Sequence, residues 1–255
     1  AVGEDSSHTV ATSTDGINWT GRGMIFNIKG NSVYYKAGVW VAVGEDTNNV
    51  KNIAFSSDNG VTWSYPSVML LYTNANDVTH AFGRWFVCGN SSYVYWSYDG
   101  ITWNTTNKTN TNYPTEIYSL NLLNGRLYTP GRSASQYLYL AQYLSSSLAL
   151  GGGNTNVFDR YTSGAEYTPY ANLVIKRIHY ANGYYIAVGY GGTNNGGAIG
   201  DKIGGVNISV STTASNNTWT RHRIFTGVGL DITHDGSKWI ATGEDADPAK
   251  RVQYS

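Results

Sequence analysis

Three short runs set neighbouring carboxylates directly after a glycine: Gly3-Glu4-Asp5, Gly44-Glu45-Asp46 and Gly243-Glu244-Asp245. A partial ring of acid built from them would bind a metal ion, a cationic partner or sugar hydroxyls. Calcium demands six or more oxygens converging on one point, which loops from separate repeats are poorly placed to supply. The preferred reading is plainer: each Glu-Asp pair caps a hairpin and meets water. Glu4, Asp5, Glu45, Asp46, Glu244 and Asp245 are therefore ligand-binding candidates and not metal ligands. Glycoside hydrolysis needs two carboxyl groups at a controlled separation. Among 17 acidic residues no such pair is singled out, and Glu116, Asp159 and Glu166 form no constellation with the three runs.

Tyrosine supplies the other candidates. Three long polar segments, 105–114, 145–169 and 190–205, are rich in Asn, Thr, Gly and Tyr, and such loops are where recognition varies. A tyrosine offers a flat apolar face with a hydrogen-bonding tip, suited to stacking on sugars or packing in protein interfaces. Tyr161, Tyr167, Tyr170 and Tyr190, with Tyr184 nearby, are the residues placed there, against the alternative that tyrosines simply fill strand surfaces.

Other chemistry is thinly represented. His80 and His234 stand five residues before Trp85 and Trp239, but Tyr35, Leu122 and Tyr180 hold that place elsewhere. That pattern marks a core or rim position open to several side chains. His8, His179 and His222 are isolated. The glycine-rich stretch 191–197 lacks the lysine of a phosphate-binding loop. Cys88, the single cysteine, lies in Trp85-Phe86-Val87-Cys88-Gly89 and reads as a small buried hydrophobe. No catalytic residue, metal or cofactor is expected.

The elements that position these residues recur. Ser13-Thr14-Asp15-Gly16-Ile17-Asn18-Trp19, Ser56-Ser57-Asp58-Asn59-Gly60-Val61-Thr62-Trp63 and Ser97-Tyr98-Asp99-Gly100-Ile101-Thr102-Trp103 are one motif, with serines 43 and 41 residues apart. A frayed copy runs from Ser211 to Trp219. Upstream of each comes an apolar strand ending in glycine, such as Trp40-Val41-Ala42-Val43-Gly44 and Tyr185-Ile186-Ala187-Val188-Gly189. Before that strand stand dipeptides of hairpin type: Asn124-Gly125, Asn182-Gly183 and Asp235-Gly236, and less typically Ala37-Gly38 and Phe82-Gly83. Val10, Ile53, Val94 and Val252 each precede an aligned serine by three residues and mark a third strand. The tryptophan opens a fourth. A period of 40 to 45 residues with four strands per repeat means one small sheet per repeat, stacked around an axis.

The pattern Ser-x-Asp-(x)-Gly-x-Thr-Trp resembles the Asp-box, or BNR repeat, of sialidase-like and sortilin-like β-propellers. It covers three copies well and one poorly. The resemblance implies an all-β propeller of four-stranded antiparallel blades, about six in number (five to seven), with both terminal blades incomplete. Residues 1–255 are then one propeller domain, cut from a longer chain. In the family the boxes lie at the periphery, so Ser13, Asp15, Gly16 and Trp19, Ser56, Asp58, Gly60 and Trp63, and Ser97, Asp99, Gly100 and Trp103 are expected to be structural.

Sialidases on this fold resemble one another in an arginine triad, an early Arg-Ile-Pro-type motif, a tyrosine–glutamate nucleophile and an acid/base aspartate. None of the nine arginines here sits in an Arg-Ile-Pro setting. Charged residues are 13% and net charge is zero, which leaves no basic field for nucleic acid. No apolar run is long enough for membrane insertion by a helix. Six Asn-x-Ser/Thr sites, at Asn18, Asn90, Asn104, Asn107, Asn207 and Asn216, would accept glycans on a secretory route. Similar repeats occur in large-virus, phage and bacterial surface proteins. The expected role is non-catalytic recognition or architecture, binding a glycan or protein partner at a cell exterior or virion surface, within a larger assembly. The alternatives are a sialidase-like hydrolase and a purely structural decoration of a capsid, fibre or filament.

Overall fold

Runs of aromatic and β-branched residues suit a pleated surface buried on both sides, and these runs form the strands. The computed structural model describes residues 1–48, 50–67, 74–91, 93–105, 116–132, 141–144, 159–160, 174–190, 207–212 and 220–255. Among them the regular structure is all strand apart from one 3-10 turn at Pro248–Lys250.

The strands form small antiparallel sheets taken in chain order. The first has β1 (Ala11–Thr12) and β2 (Thr20–Gly21), with Val2 bridged to Val10. The second has β3 (Lys29–Lys36), β4 (Val39–Glu45) and β5 (Ile53–Ser56), with Phe55 bridged to Ser64. The third has β6 (Ala75–Ala81), β7 (Arg84–Gly89), β8 (Tyr95–Ser97) and β9 (Asn104–Thr105). Next come β10 (Glu116–Ile117), β11 (Asn121–Leu123), β12 (Arg126–Tyr128), β13 (Gly131–Arg132), β14 (Ala141–Leu144) and β15 (Asp159–Arg160). There β11, β12, β14 and β15 make one sheet and β10 pairs β13. The following sheet has β16 (Val174–Ala181), β17 (Tyr184–Tyr190), β18 (Ile208–Ser211) and β19 (Thr220–His222). The last has β20 (Gly229–His234), β21 (Trp239–Gly243) and β22 (Val252–Tyr254).

One register recurs. Trp40 faces Ser56, Trp85 faces Ser97 and Tyr185 faces Ser211, and the Ser255 N–H donates to the Trp239 carbonyl at 3.2 Å. The ring that opens each second strand is thus fixed opposite the serine that opens each turn. The same residues explain the histidines: Tyr35, His80, Tyr180 and His234 pair across strands with Trp40, Trp85, Tyr185 and Trp239, ring against ring at 4.4–5.3 Å. Burial lowers the His80 pKa from its ordinary value, with help from the Lys36 charge.

Four hairpins are two-residue turns with positive φ at both centres: Ala37-Gly38, Phe82-Gly83, Asn124-Gly125 and Asn182-Gly183. This is type I′ geometry, matched to strand twist. Asp235-Gly236 corrects the expectation. His234 pairs with Trp239 across a four-residue loop, only Gly236 has positive φ, and the Asp235 carboxylate caps the N–H groups of Ser237 and Lys238.

Every long first strand also carries a register shift near its start, at Gly30/Ser32, Ala75/Asp77, Ile175/Arg177 and Gly229/Asp231. The backbone just before the bulge packs closely on the glycine near the end of the second strand. A Cβ on Gly89 would overlap the Asn74 carbonyl oxygen, and one on Gly189 the Val174 carbonyl oxygen. Gly44 and Gly243 face the equivalent carbonyls, of Lys29 and Val228, and also leave room for buried rings: a Cβ there would fall 2.6 Å from Phe26 and Phe225 respectively.

The chain divides into two compact units, one built on Ala1–Thr109 and one on Asn110–Ser147 with Phe158–Ser255. In the first, Val41 and Val43 pack with Val78, Trp85, Val87 and Trp103 of the next sheet. Ala42, on the opposite face of the same strand, packs with Val10 and Phe26. In the second unit, Tyr185 and Ala187 join Tyr128 and Ile178, while Ile186 and Val188 join Phe225 and Ile232. Alternate residues of one second strand therefore serve two cores, one against each neighbouring sheet, as period-2 side-chain placement requires.

Candidate functional site

The three serine–aspartate–glycine turns share one hydrogen-bond pattern. In the first, Ser13 Oγ donates to Asp15 at 2.9 Å and accepts from the N–H groups of Asp15 and Gly16. Asp15 Oδ1 accepts from Ile17 and Asn18 at 2.8 Å. Ser56, Asp58 and Gly60 repeat this with Thr62, whose N–H and hydroxyl both reach Asp58. Ser97, Asp99 and Gly100 repeat it with Ile101 and Thr102. Hydrogen bonds to the charged form favour it. Asp58 is lowered to about 2 by Thr62 first and Ser56 after it, and Asp15 is lowered chiefly by Asn18. At Asp99 desolvation pulls upward and is outweighed by Thr102 and Ile101. Each carboxylate is consumed within its own turn.

A pH dependence follows. The Asp58 pKa is depressed in the folded chain, so its stabilising contribution is full above the unfolded carboxylate value near 4. It is lost as pH falls from there through about 2. Asp58→Asn should flatten that part of the stability profile while lowering stability at neutral pH, as read by melting temperature across pH 2 to 6. An unchanged acid limb would show that the turn is not coupled to folding.

The tryptophans of these turns differ in cover. Trp103 is 6% exposed and Trp19 52%. Trp19 and Trp63 donate from Nε1 to the Gly16 and Gly60 carbonyls at 3.2 and 3.0 Å. Trp103 Nε1 is buried with no partner among the described residues.

The Glu-Asp runs lie where second strands end. Asp5 accepts from the Ser7 and His8 N–H groups, which lower its pKa. Asp46 is buried and accepts from Val50. Asp245, also buried, accepts from Asp247 and Thr226, and both lower its pKa. Glu45 pairs with Lys29 at 3.0 Å, while Glu4 and Glu244 are exposed. The aspartates thus tie down loops, Glu4 and Glu244 stand out from them, and Glu45 is held in its ion pair. Among the described residues no three His, Cys, Asp or Glu side chains gather as metal ligands would.

Tyr161, Tyr167 and Tyr170 lie outside the described residues, as does Trp219. Tyr190 is described, and it belongs to a cluster that sequence reasoning missed. The Lys176 ammonium lies 3.5 Å from the Tyr118 ring centre and 5.9 Å from that of Tyr190. The Tyr118 hydroxyl donates to Glu116 at 2.5 Å. Spacing of two along one strand, which puts both side chains on one face, was the signal available for that pair. The described arginines are engaged separately: Arg84 stacks on Trp96 and Tyr98, Arg177 pairs with Asp231 at 3.2 Å, and Arg22 donates to Thr12.

Asn207 was also misjudged. It is 2% exposed, and its amide bonds the backbone of Ile224, Phe225 and Gly227. A glycan cannot reach it in the folded chain.

The position just after the second-strand glycine now stands out, held by Glu45, Asn90, Tyr190 and Glu244 in four sheets, with Glu4 following Gly3 in the first. The strand is nearly constant and the residue leaving it is not. Comparison with solved structures finds "YCF48 bound to D1 peptide", a β-propeller protein, at TM-score 0.58 and 14% identity, covering 95% of this chain and 71% of that one. The chain shares the β-propeller fold. No protein-family model matches it, and no curated protein does. No helix among the described residues is long and apolar enough to cross a membrane.

Proposed function

We propose that this propeller is a non-catalytic recognition module for a protein partner, working at an exterior surface, with Asp-box turns as its framework. The observation that carries the reading is the variable position after each second-strand glycine. A framework of repeated strands that presents Glu45, Asn90, Tyr190 and Glu244 from equivalent places suits surface recognition. The structural neighbour bound to a peptide favours a protein over a glycan as partner. The experiment is a parallel peptide and glycan array probed with the chain and with Glu45→Gln/Tyr190→Ala. Peptide signals that fall about tenfold in the variant are expected, on the scale of losing one or two interface contacts. Saturable glycan signals with silent peptides would overturn the protein reading.

A hydrolase reading is favoured by one observation, the Tyr118–Glu116 hydrogen bond, because the sialidase resemblance implies a tyrosine nucleophile with a glutamate partner. Among the described residues no arginine cluster stands ready to hold a carboxylate substrate, since the described arginine side chains are engaged apart from one another. Turnover of a fluorogenic sialoside that Tyr118→Phe abolishes would establish it in place of the recognition role.

A further inference from the structure

Three rings meet where the sheet of β16 packs against the sheet of β20, within the second unit. His179 on β16 and His234 at the end of β20 both stand edge-on to Trp239 of β21, at 5.7 and 4.8 Å between centroids. The same packing occurs in the first unit, where Tyr34 and His80 meet Trp85 at 6.0 and 5.3 Å. The three-ring contact therefore belongs to the repeat. The second histidine, among the described residues, belongs to this joint.

Hydrogen bonds fix the protonation of His234. The Gly236 N–H donates to its Nδ1 at 3.0 Å, so Nδ1 carries a lone pair and the proton of the neutral ring sits on Nε2. The Asn182 side-chain amide lies 3.1 Å from that nitrogen. With the proton on Nε2, the amide presents its oxygen to the ring. His234 thus ties its own turn to the hairpin that joins β16 to β17. A second proton would place an N–H on both ring nitrogens. The Gly236 N–H would then face a donor, and that tie would break.

The surroundings act in the same direction at His179. Desolvation pushes its pKa below the ordinary histidine value, the His234 and Arg177 charges add to this, and Asp231 opposes it. A histidine lowered in this way gives its full stabilising contribution above about pH 6.5 and loses it as pH falls through the folded value. Arg177 and Asp231 are themselves paired at 3.2 Å between β16 and β20. The turn contributes Asp235, whose carboxylate caps Ser237 and Lys238, and the Lys238 ammonium, 5.6 Å from the Tyr254 ring centre of β22. β17 and β21 place Ile186 and Trp239 opposite the two histidines and add no charge.

We propose that His179 and His234 form an acid-released fastening between these two sheets, closed while both rings are neutral and opened by protonation. It stands at the hairpin end of β17, away from Tyr190 at the other end, and does not depend on the recognition reading. Nitrogen-15 spectra of the full chain between pH 8 and pH 5 test it. The His234 ring should show the Nε2–H tautomer at pH 8. The Gly236 amide should shift with the same midpoint as that ring. Its hydrogen exchange, corrected for intrinsic pH dependence, should rise about tenfold by pH 5 on losing one hydrogen bond. His234→Asn keeps a side-chain oxygen that can accept from Gly236 and removes the proton site. It should abolish the Gly236 midpoint and move the His179 midpoint upward. If this variant misfolds, the tautomer and the Gly236 titration of the parent chain decide. An Nδ1–H tautomer at pH 8, a Gly236 amide indifferent to pH, or an unchanged Gly236 midpoint in folded His234→Asn would each overturn the proposal.

Discussion

Trp103→Ala should destabilise the chain by about 3–5 kcal/mol, the range for removing a buried indole, whereas Trp19→Ala should cost about 1 kcal/mol or less. The two residues hold the same place in the same motif, so sequence alone assigns them equal weight. Cover separates them: Trp103 is 6% exposed and sits in a core with Val41, Val78, Trp85 and Val87, while Trp19 is 52% exposed. The cavity left by Trp103→Ala would be lined by side chains from two sheets that cannot close over it without moving strands. Trp103→Phe is the informative control. It keeps much of the ring and removes an Nε1 that has no partner among the described residues, so it should cost under about 1.5 kcal/mol. Urea unfolding followed by near-UV circular dichroism reads all three. Equal losses for Trp19→Ala and Trp103→Ala would mean that the box tryptophan acts through its turn and not through packing.

Gly189→Ala should be nearly as damaging, at about 3 kcal/mol or more, although the glycine has ordinary backbone angles. The obstacle is space: the added methyl would overlap the Val174 carbonyl oxygen, a backbone atom of a paired strand next to a β-bulge. Overpacking against backbone cannot be relieved by a rotamer change. Gly183→Ala provides the contrast. Its φ is +80° with open space around the new methyl, so it should lose only about 1–2 kcal/mol to left-handed strain. The same urea titration checks the order. A larger loss at Gly183 would show that the bulge relaxes readily.

These two predictions separate what the sequence discloses from what it hides. Strand identity was legible because Trp40-Val41-Ala42-Val43-Gly44 and its relatives combine β-branched residues with a fixed terminator, and four of five hairpins announced themselves through Gly at the second turn position. The reason for the terminator was not legible. All four glycines, Gly44, Gly89, Gly189 and Gly243, yield to a first-strand carbonyl, and Gly44 and Gly243 also to Phe26 and Phe225. The bulge has no common signature: Asn31 and Asn76 share an amide, but Lys176 and Leu230 hold the same place in the other two sheets. Asp235-Gly236 misled because its aspartate caps a longer loop from the side chain.

At the candidate site the Glu-Asp runs were legible as hairpin caps, but their internal division was not. Asp46 and Asp245 turn inward to loop backbone while Glu4 and Glu244 face solvent. Burial of neighbours decides this, and no local pattern encodes it. The cluster brings Tyr118 to Lys176 and Tyr190, more than fifty positions further along the chain. Only the pairing of successive sheets brings such residues together.

Backbone proton contacts measured by nuclear Overhauser spectroscopy test the repeating architecture most directly. Cross-strand contacts should place Trp40, Trp85, Tyr185 and Trp239 opposite Ser56, Ser97, Ser211 and Ser255, each pair in its own small sheet. A one-residue offset in any of these pairs, or contacts that link them into a continuous sheet, would contradict it.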